Sequence, residues 1–179
     1  MNLQHLKDEI PVEGEVTLEG IDFITSADQY LSFLLADESY AVEILAVEEI
    51  RSWQKPTIVP NSPPEVMGVI NMRGTIVPII DLRVKFSIGE ATYNQMTVII
   101  VLSIEGNEST RKMGFVVDAV SDVVNASKEE VKPYFALAGG LDSQFVEGLV
   151  NVNSTVISLL NLTALQELDN HQGVKYESQ

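Results

Sequence analysis

Gly68 to Arg83 reads GVINMRGTIVPIIDLR, and the folding of this stretch decides the rest. Val69, Ile70, Met72, Ile76, Val77, Ile79 and Ile80 make it apolar without any helical period. Gly74 and Pro78 would both damage a helix interior. β-Branched residues crowd both sides of Arg73-Gly74, which predicts two short strands joined by a tight turn. Gly74 supplies the positive φ that such a turn needs. Pro78 cannot donate to a ladder, so the second strand is expected to be an edge or to carry a bulge there. The turn holds Arg73 out as a lone cation between two apolar strands.

The stretch recurs. Gly148 to Leu162, GLVNVNSTVISLLNL, aligns with Gly68 to Leu82 without a gap. Gly68, Asn71, Thr75 and Leu82 return as Gly148, Asn151, Thr155 and Leu162, while Arg73, Gly74 and Pro78 become Asn153, Ser154 and Ser158. The second copy thus keeps the scaffold and is expected to change the turn. A second repeat lies upstream of each hairpin. AVEILAVEEI (41–50) matches GFVVDAVSDV (114–123), pairing Ala46 with Ala119, Val47 with Val120, Glu49 with Asp122 and Ile50 with Val123. Each half of the chain is then a strand hairpin, an Ala-Val-x-acidic-aliphatic segment, a loop and the Gly-x-x-Asn hairpin. Two copies of a small all-β unit follow, each of about five short strands, closing as a barrel to remove its edges.

The remaining elements fall between these landmarks. Tyr30–Leu35 and Tyr40–Ile44 read as a hairpin, and a short helical turn precedes a third strand before Trp53. Pro56, Pro60, Pro63 and Pro64 make an extended connection around Ile58-Val59. Leu82–Phe86 is a short helix capped by Asp81. Met96–Ile104 and Lys112–Val117 form another hairpin. Ser127–Glu130 has a capping-box pattern, and Asn161–Leu168 reads as a helix. An acidic lead-in (1–28) and a polar tail (169–179) flank the folded part, 29–168.

The chain has 179 residues and no cysteine, so disulfide and thiolate chemistry are absent. Twenty-six acidic residues against eleven basic give a net charge of −15, which opposes nucleic-acid backbone binding and anionic membrane surfaces. No apolar run approaches the roughly 20 residues of a membrane span. Only His5 and His171 exist, both in the flanking segments, which disfavours Ser-His catalysis and a zinc centre. No glycine-rich phosphate loop is present, and no metal or cofactor is expected. Carboxylates are plentiful, and the residues leave a glycosidase-type pair open. Arg73 offers a planar fork of donors on a stiff tip, and Glu49 keeps its acid in the repeat as Asp122. Trp53, Ile58 and Val59 either plug a barrel end or form an interface patch. The residues alone point to a duplicated all-β binding module.

AVEILAVEEIRSW, then GVINMRGTIVPIIDLRVKF, then MGFVVDAVSDVV, resembles the CheW family of bacterial chemotaxis coupling proteins, from about Tyr30 to Leu165. The resemblance implies two five-stranded SH3-like barrels side by side. They would be interleaved subdomains joined near 87–95, with no catalysis. It implies two partners, the regulatory domain of the histidine kinase CheA and the cytoplasmic tip of methyl-accepting chemoreceptors. Carried over by position, Val47, Glu49, Arg73 and Val123 face the receptor in a groove between the barrels. Gly68 and Gly74 shape the hairpin, and Ile58 and Val59 meet the kinase. The family setting is cytoplasmic, recruited to membrane-bound receptor arrays. An adaptor serving another output pathway, and an enzyme with a carboxylate pair, are the rival readings.

Overall fold

The computed structural model describes residues 29–106, 108–135 and 140–169. The lead-in, and the tail from residue 170 on, lie outside the described residues. Among the described residues run ten strands: β1 (Gln29–Leu35), β2 (Glu38–Glu43), β3 (Val47–Ser52), β4 (Val66–Met72), β5 (Thr75–Asp81), β6 (Val98–Glu105), β7 (Thr110–Val117), β8 (Ala119–Asn125), β9 (Val146–Val152) and β10 (Thr155–Leu160). Helices α1 (Leu82–Phe86) and α2 (Leu162–Gln166) each follow a Gly-x-x-Asn hairpin. Two five-stranded sheets result, ordered β8-β1-β2-β10-β9 and β3-β6-β7-β5-β4.

The hairpin β4–β5 forms as its sequence predicts. Met72 pairs with Thr75, leaving Arg73 and Gly74 as a two-residue turn at φ 51° and 86°. Positive φ at both central residues matches the right-handed twist of the flanking strands. Asn71 Oδ1 accepts from the Gly74 N–H at 2.8 Å and fixes the tip. The second copy corrects one expectation: its turn is not changed. Asn153 and Ser154 take φ 50° and 65°, the same conformation without a glycine. Pro78 is also accommodated differently. β5 lies inside the sheet, but its parallel ladder with β7 starts only at Ile79. Up to Pro78 the strand has β4 alone beside it, so the missing N–H costs no rung toward β7.

Neither half closes on itself. Hairpin β1–β2 joins β8, β9 and β10, and hairpin β6–β7 joins β3, β4 and β5. The cause is the connection after each hairpin. A 3-10 turn at Ile44–Ala46 carries β2 directly into β3 of the other sheet, and Asp118 alone separates β7 from β8. Residues 87–95 join the repeats in sequence, yet β5 and β6 on either side of them share one sheet. The capping-box segment is reduced to a single 3-10 turn, Lys128–Glu130, where the Ser127 side chain bonds Glu130 and caps no backbone N–H.

Both sheets curl until their edges meet. After β3, Thr57 exchanges backbone bonds with Val69 of β4 at 2.9 and 2.8 Å. After β8, Lys132 does the same with Leu149 of β9 at 2.7 and 2.8 Å. Gly68 and Gly148 immediately precede these rungs. A Cβ at Gly68 would stand 2.1 Å from the Thr57 carbonyl oxygen, and one at Gly148 2.4 Å from a Val131 methyl. The identity of the two glycines therefore follows from the closing strand that crosses them.

Burial divides into three cores. One barrel holds Tyr30, Ala41, Val124, Val150, Ile157 and Leu159. The other holds Ile70, Met72, Val77, Ile79, Ile99, Val101 and Val116. The largest lies between them and takes Phe33, Leu35 and Val42 from one sheet with Ile100, Leu102 and Phe115 from the other. β6 alternates Ile99 and Val101 into its barrel with Ile100 and Leu102 into the shared core, which is why VIIVL is apolar throughout.

Candidate functional site

β3 and the tip of β4–β5 are opposite edges of one sheet, and curling brings them together. Arg73 Nη2 donates to Glu49 Oε2 at 2.8 Å. Arg73 is not the lone cation its turn suggested. Its side chain remains 78% exposed while its head is held by Glu49, which also has the Arg51 Nε at 3.6 Å. So exposed a pair contributes about 0–1 kcal/mol to stability. Its effect is to present a guanidinium in one orientation on a stiff tip.

Val47 begins β3 two residues from Glu49, half-buried against the shared core. Its counterpart Val120 packs on the same core from β8. Val123, three residues further along β8, is 45% exposed, as is Ile50 at the matching position of β3. The structure thus brings Glu49 and Arg73 into contact, puts Val47 on the same strand, and places Val123 on the other sheet. Asp122, the copy of Glu49, turns to its own strand: its side chain accepts from the Val123 N–H at 2.9 Å, and no ion pair to it is found among the described residues.

Ile58 and Val59 follow the Thr57 rung. Ile58 is 69% exposed, so it plugs nothing, and Val59 is half-buried. Trp53 behaves otherwise, packing on the core of its barrel and stacking on Tyr93 with ring centroids 4.1 Å apart.

One cluster was not anticipated. Arg83, in the first turn of α1, is 1% exposed. Its Nε and Nη2 donate to the two oxygens of Asp81 at 3.0 and 2.8 Å. Its Nη1 donates to Asp118 Oδ1 at 2.8 Å and to the Thr92 carbonyl at 2.5 Å. Tyr93 lies over the guanidinium at 5.0 Å and donates its hydroxyl to Asp81 at 3.0 Å. Burial alone would lower the Arg83 pKa, but hydrogen bonds and charge from Asp81 and Asp118 outweigh it and raise the value. Burial, then Asp81, push the Tyr93 hydroxyl up to about 12. The available signal was the Asp-Leu-Arg end of the opening stretch, where Asp81 reads as a cap. Asp81 does cap α1, accepting from the Arg83 N–H at 3.0 Å.

The second copy diverges here. Asn161 caps α2 in place of Asp81, and Thr163 stands where the alignment puts Arg83. An open cleft of about 490 Å³ lies beside it, lined by Glu43, Glu105 and Glu147 with Leu45, Ile104 and Leu162. Glu147 is exposed by area, and partial desolvation in the cleft, then the charge of Glu43, raise its pKa, while Lys128 lowers it. Carboxylates therefore do meet in a cleft, the feature an enzymatic reading asks for. Its lining offers no aromatic platform for a sugar ring and no imidazole.

The family model for the CheW-like domain matches residues 29–169. The chain is 38% identical over 152 residues to the chemotaxis protein CheW of Klebsiella aerogenes, covering 85% of this chain and 89% of that one. The chemotaxis protein CheW of Bacillus subtilis is 27% identical over 149 residues, 83% and 93% of the two chains. The crystal structure of the scaffolding protein TtCheW from Thermoanaerobacter tengcongensis superposes with a TM-score of 0.68 at 32% identity, over 76% of this chain and 85% of that one.

Proposed function

This chain belongs to the CheW family of chemotaxis scaffold proteins, and we propose that it couples the histidine kinase CheA to methyl-accepting chemoreceptors. The observation that carries this reading is the Arg73–Glu49 pair, a guanidinium fixed on a stiff hairpin tip beside the half-buried Val47. A receptor tip is a helical hairpin, and such a ligand lays apolar side chains in a groove while charges set its register. Val47 and Val123 take the apolar side chains, and Arg73 with Glu49 sets the register. Ile58, exposed on the proline-rich connection with Val59 beside it, is the kinase contact.

The activity is coupling without catalysis, in the cytoplasm, at receptor arrays. Two partners are held in fixed relative geometry, and a change in one contact biases the other. Each interface is weak, and avidity in the array supplies the rest. No helix among the described residues is long and apolar enough to cross a membrane.

The test is calorimetric titration with the isolated CheA regulatory domain and, separately, with a soluble receptor signalling fragment. Arg73→Ala is expected to weaken the receptor titration and spare the kinase one. Ile58→Asp is expected to do the reverse. Loss of both by either variant overturns the assignment of two separate faces.

The Glu43–Glu147 cleft supports a second reading, a carboxylate-pair hydrolase. Turnover of chromogenic glycosides that Glu147→Gln abolishes would favour it over the adaptor.

A further inference from the structure

The buried Arg83 cluster is tied to both strands that carry the receptor-facing residues. β8 begins at Ala119, the residue after Asp118. β3 ends at Ser52, the residue before Trp53. Asp118 accepts from Arg83 with one oxygen and from the Ala36 N–H with the other, at 2.8 and 2.6 Å. Ala36 is the turn between β1 and β2 of the first sheet, held at φ 52°. The Asp118 N–H also bonds the Leu34 carbonyl of β1 at 3.0 Å. Asp118 therefore anchors the root of β8 to its own sheet, and its carboxylate reaches across to Arg83 of the other. On the far side, Arg83 lies against Tyr93, and Tyr93 stacks on Trp53 at the end of β3.

We infer that Arg83 is a positioning residue for receptor binding: with Asp118, Tyr93 and Trp53 it fixes β3 against β8, and so sets the spacing of Val47 and Val123. The inference rests on the receptor-facing reading of those valines for its functional half only. Its structural half, that one guanidinium rivets the two barrels on this side, stands on the contacts themselves. The opposite seam is held otherwise: Thr163 replaces the arginine beside the carboxylate-lined cleft, and Arg111 of β7 donates to the Gln166 carbonyl of α2 at 3.2 Å. The two seams are thus tied by different devices. A shared apolar core permits small sliding of one barrel on the other, since its contacts are non-directional. Asp81 fixes the guanidinium plane through two bonds, so its Nη1 meets Asp118 in one direction.

The experiment uses the absence of native cysteine. Ser52→Cys on β3 and Ser121→Cys on β8, both exposed, take spin labels for a pulsed dipolar distance measurement on the full chain. A single narrow distribution is expected. Asp118→Ala is the first variant, because Arg83 keeps Asp81 and no buried charge is orphaned. It is expected to broaden or shift the distribution while β-sheet circular dichroism stays unchanged, and to weaken binding of a receptor fragment several-fold without weakening the kinase regulatory domain. Arg83→Lys keeps the charge but cannot grip both carboxylates, and is expected to act the same way. If Asp118→Ala unfolds, Arg83→Lys decides alone. A folded variant with an unchanged distance distribution overturns the inference, as does a broadened one with unchanged receptor affinity. Failure of the parent protein to bind receptor would sink the functional reading instead, and the distance measurement would then judge the rivet by itself.

Discussion

Arg73 in the β4–β5 turn donates to Glu49 of β3 at 2.8 Å, and these two residues come from opposite edges of one five-stranded sheet. Their contact exists only because the sheet closes. The pair is exposed, so exchanging its charges is expected to change stability by less than about 1 kcal/mol. Arg73→Glu should weaken receptor-fragment binding strongly, leaving Tm nearly unchanged. Adding Glu49→Arg should restore the pair but not the binding, because the charge offered to the partner is then reversed. Full recovery of affinity in the double variant would mean the pair serves only the fold.

Gly74 and Ser154 occupy equivalent positions at φ 86° and 65°. No atom lies within 4 Å of a Cβ built on Gly74, so substitution there meets backbone strain alone. Gly74→Val should cost about 1–2 kcal/mol, and Ser154→Gly should return up to about 1 kcal/mol. Chemical denaturation of both variants measures this, and equal midpoints would show that the turn tolerates side chains freely.

Gly68 is a harsher position. A Cβ there meets the Thr57 backbone oxygen at 2.1 Å, on a backbone at φ 137°. Gly68→Ala should destabilise by on the order of 3 kcal/mol, since the closing rung must move. Gly148→Ala meets a Val131 methyl at 2.4 Å and the Lys132 carbonyl oxygen at 2.9 Å. The backbone clash, 2.9 Å against 2.1 Å at Gly68, is the shallower one, so about 1–2 kcal/mol is expected. The order of the two midpoints is the check.

Glu147 carries a raised pKa, from partial desolvation first and then Glu43. In the folded state it binds its proton more tightly than in the unfolded chain. Stability from this group is therefore present at low pH and lost as pH rises from the unfolded value through the folded one. Above that window the ionised carboxylate is a constant penalty. Glu147→Gln should then raise Tm slightly at about pH 7 and leave it unchanged near pH 4, where Glu147 is largely protonated in both states. The effect is small because Glu147 keeps solvent contact. A larger gain at the lower pH would reverse the assigned sign.

What could be read from the residues follows from local physics. Arg73-Gly74 between β-branched runs dictates a two-residue hairpin, and the gapless second copy dictates a second one. Asp81 announces its helix as a cap and accepts from a backbone N–H as expected, and Asn161, read from sequence only as the start of a helix, does the same in the second copy. The exchange of hairpins between barrels was not legible in the residue pattern, and only the family resemblance implied interleaving. Duplicated strands carry the same apolar pattern, so nothing local says which copy β1–β2 joins. Arg83 escaped for a related reason. A charged residue beside a helix cap belongs in solvent by default, and only the fold brings Asp118 to it from the other half. Of the candidate site, the contact between Glu49 and Arg73 could be placed only once the sheet was seen to close. Val123 remains on a separate strand, so its role with Val47 stands as a proposal.

The most direct measurement is autophosphorylation of CheA reconstituted with receptor signalling fragments, with and without this protein. Coupling predicts that kinase activity answers to the receptor only when the chain is present, and that Arg73→Ala and Ile58→Asp each abolish the response. Receptor control of the kinase that is the same in its absence would contradict the account.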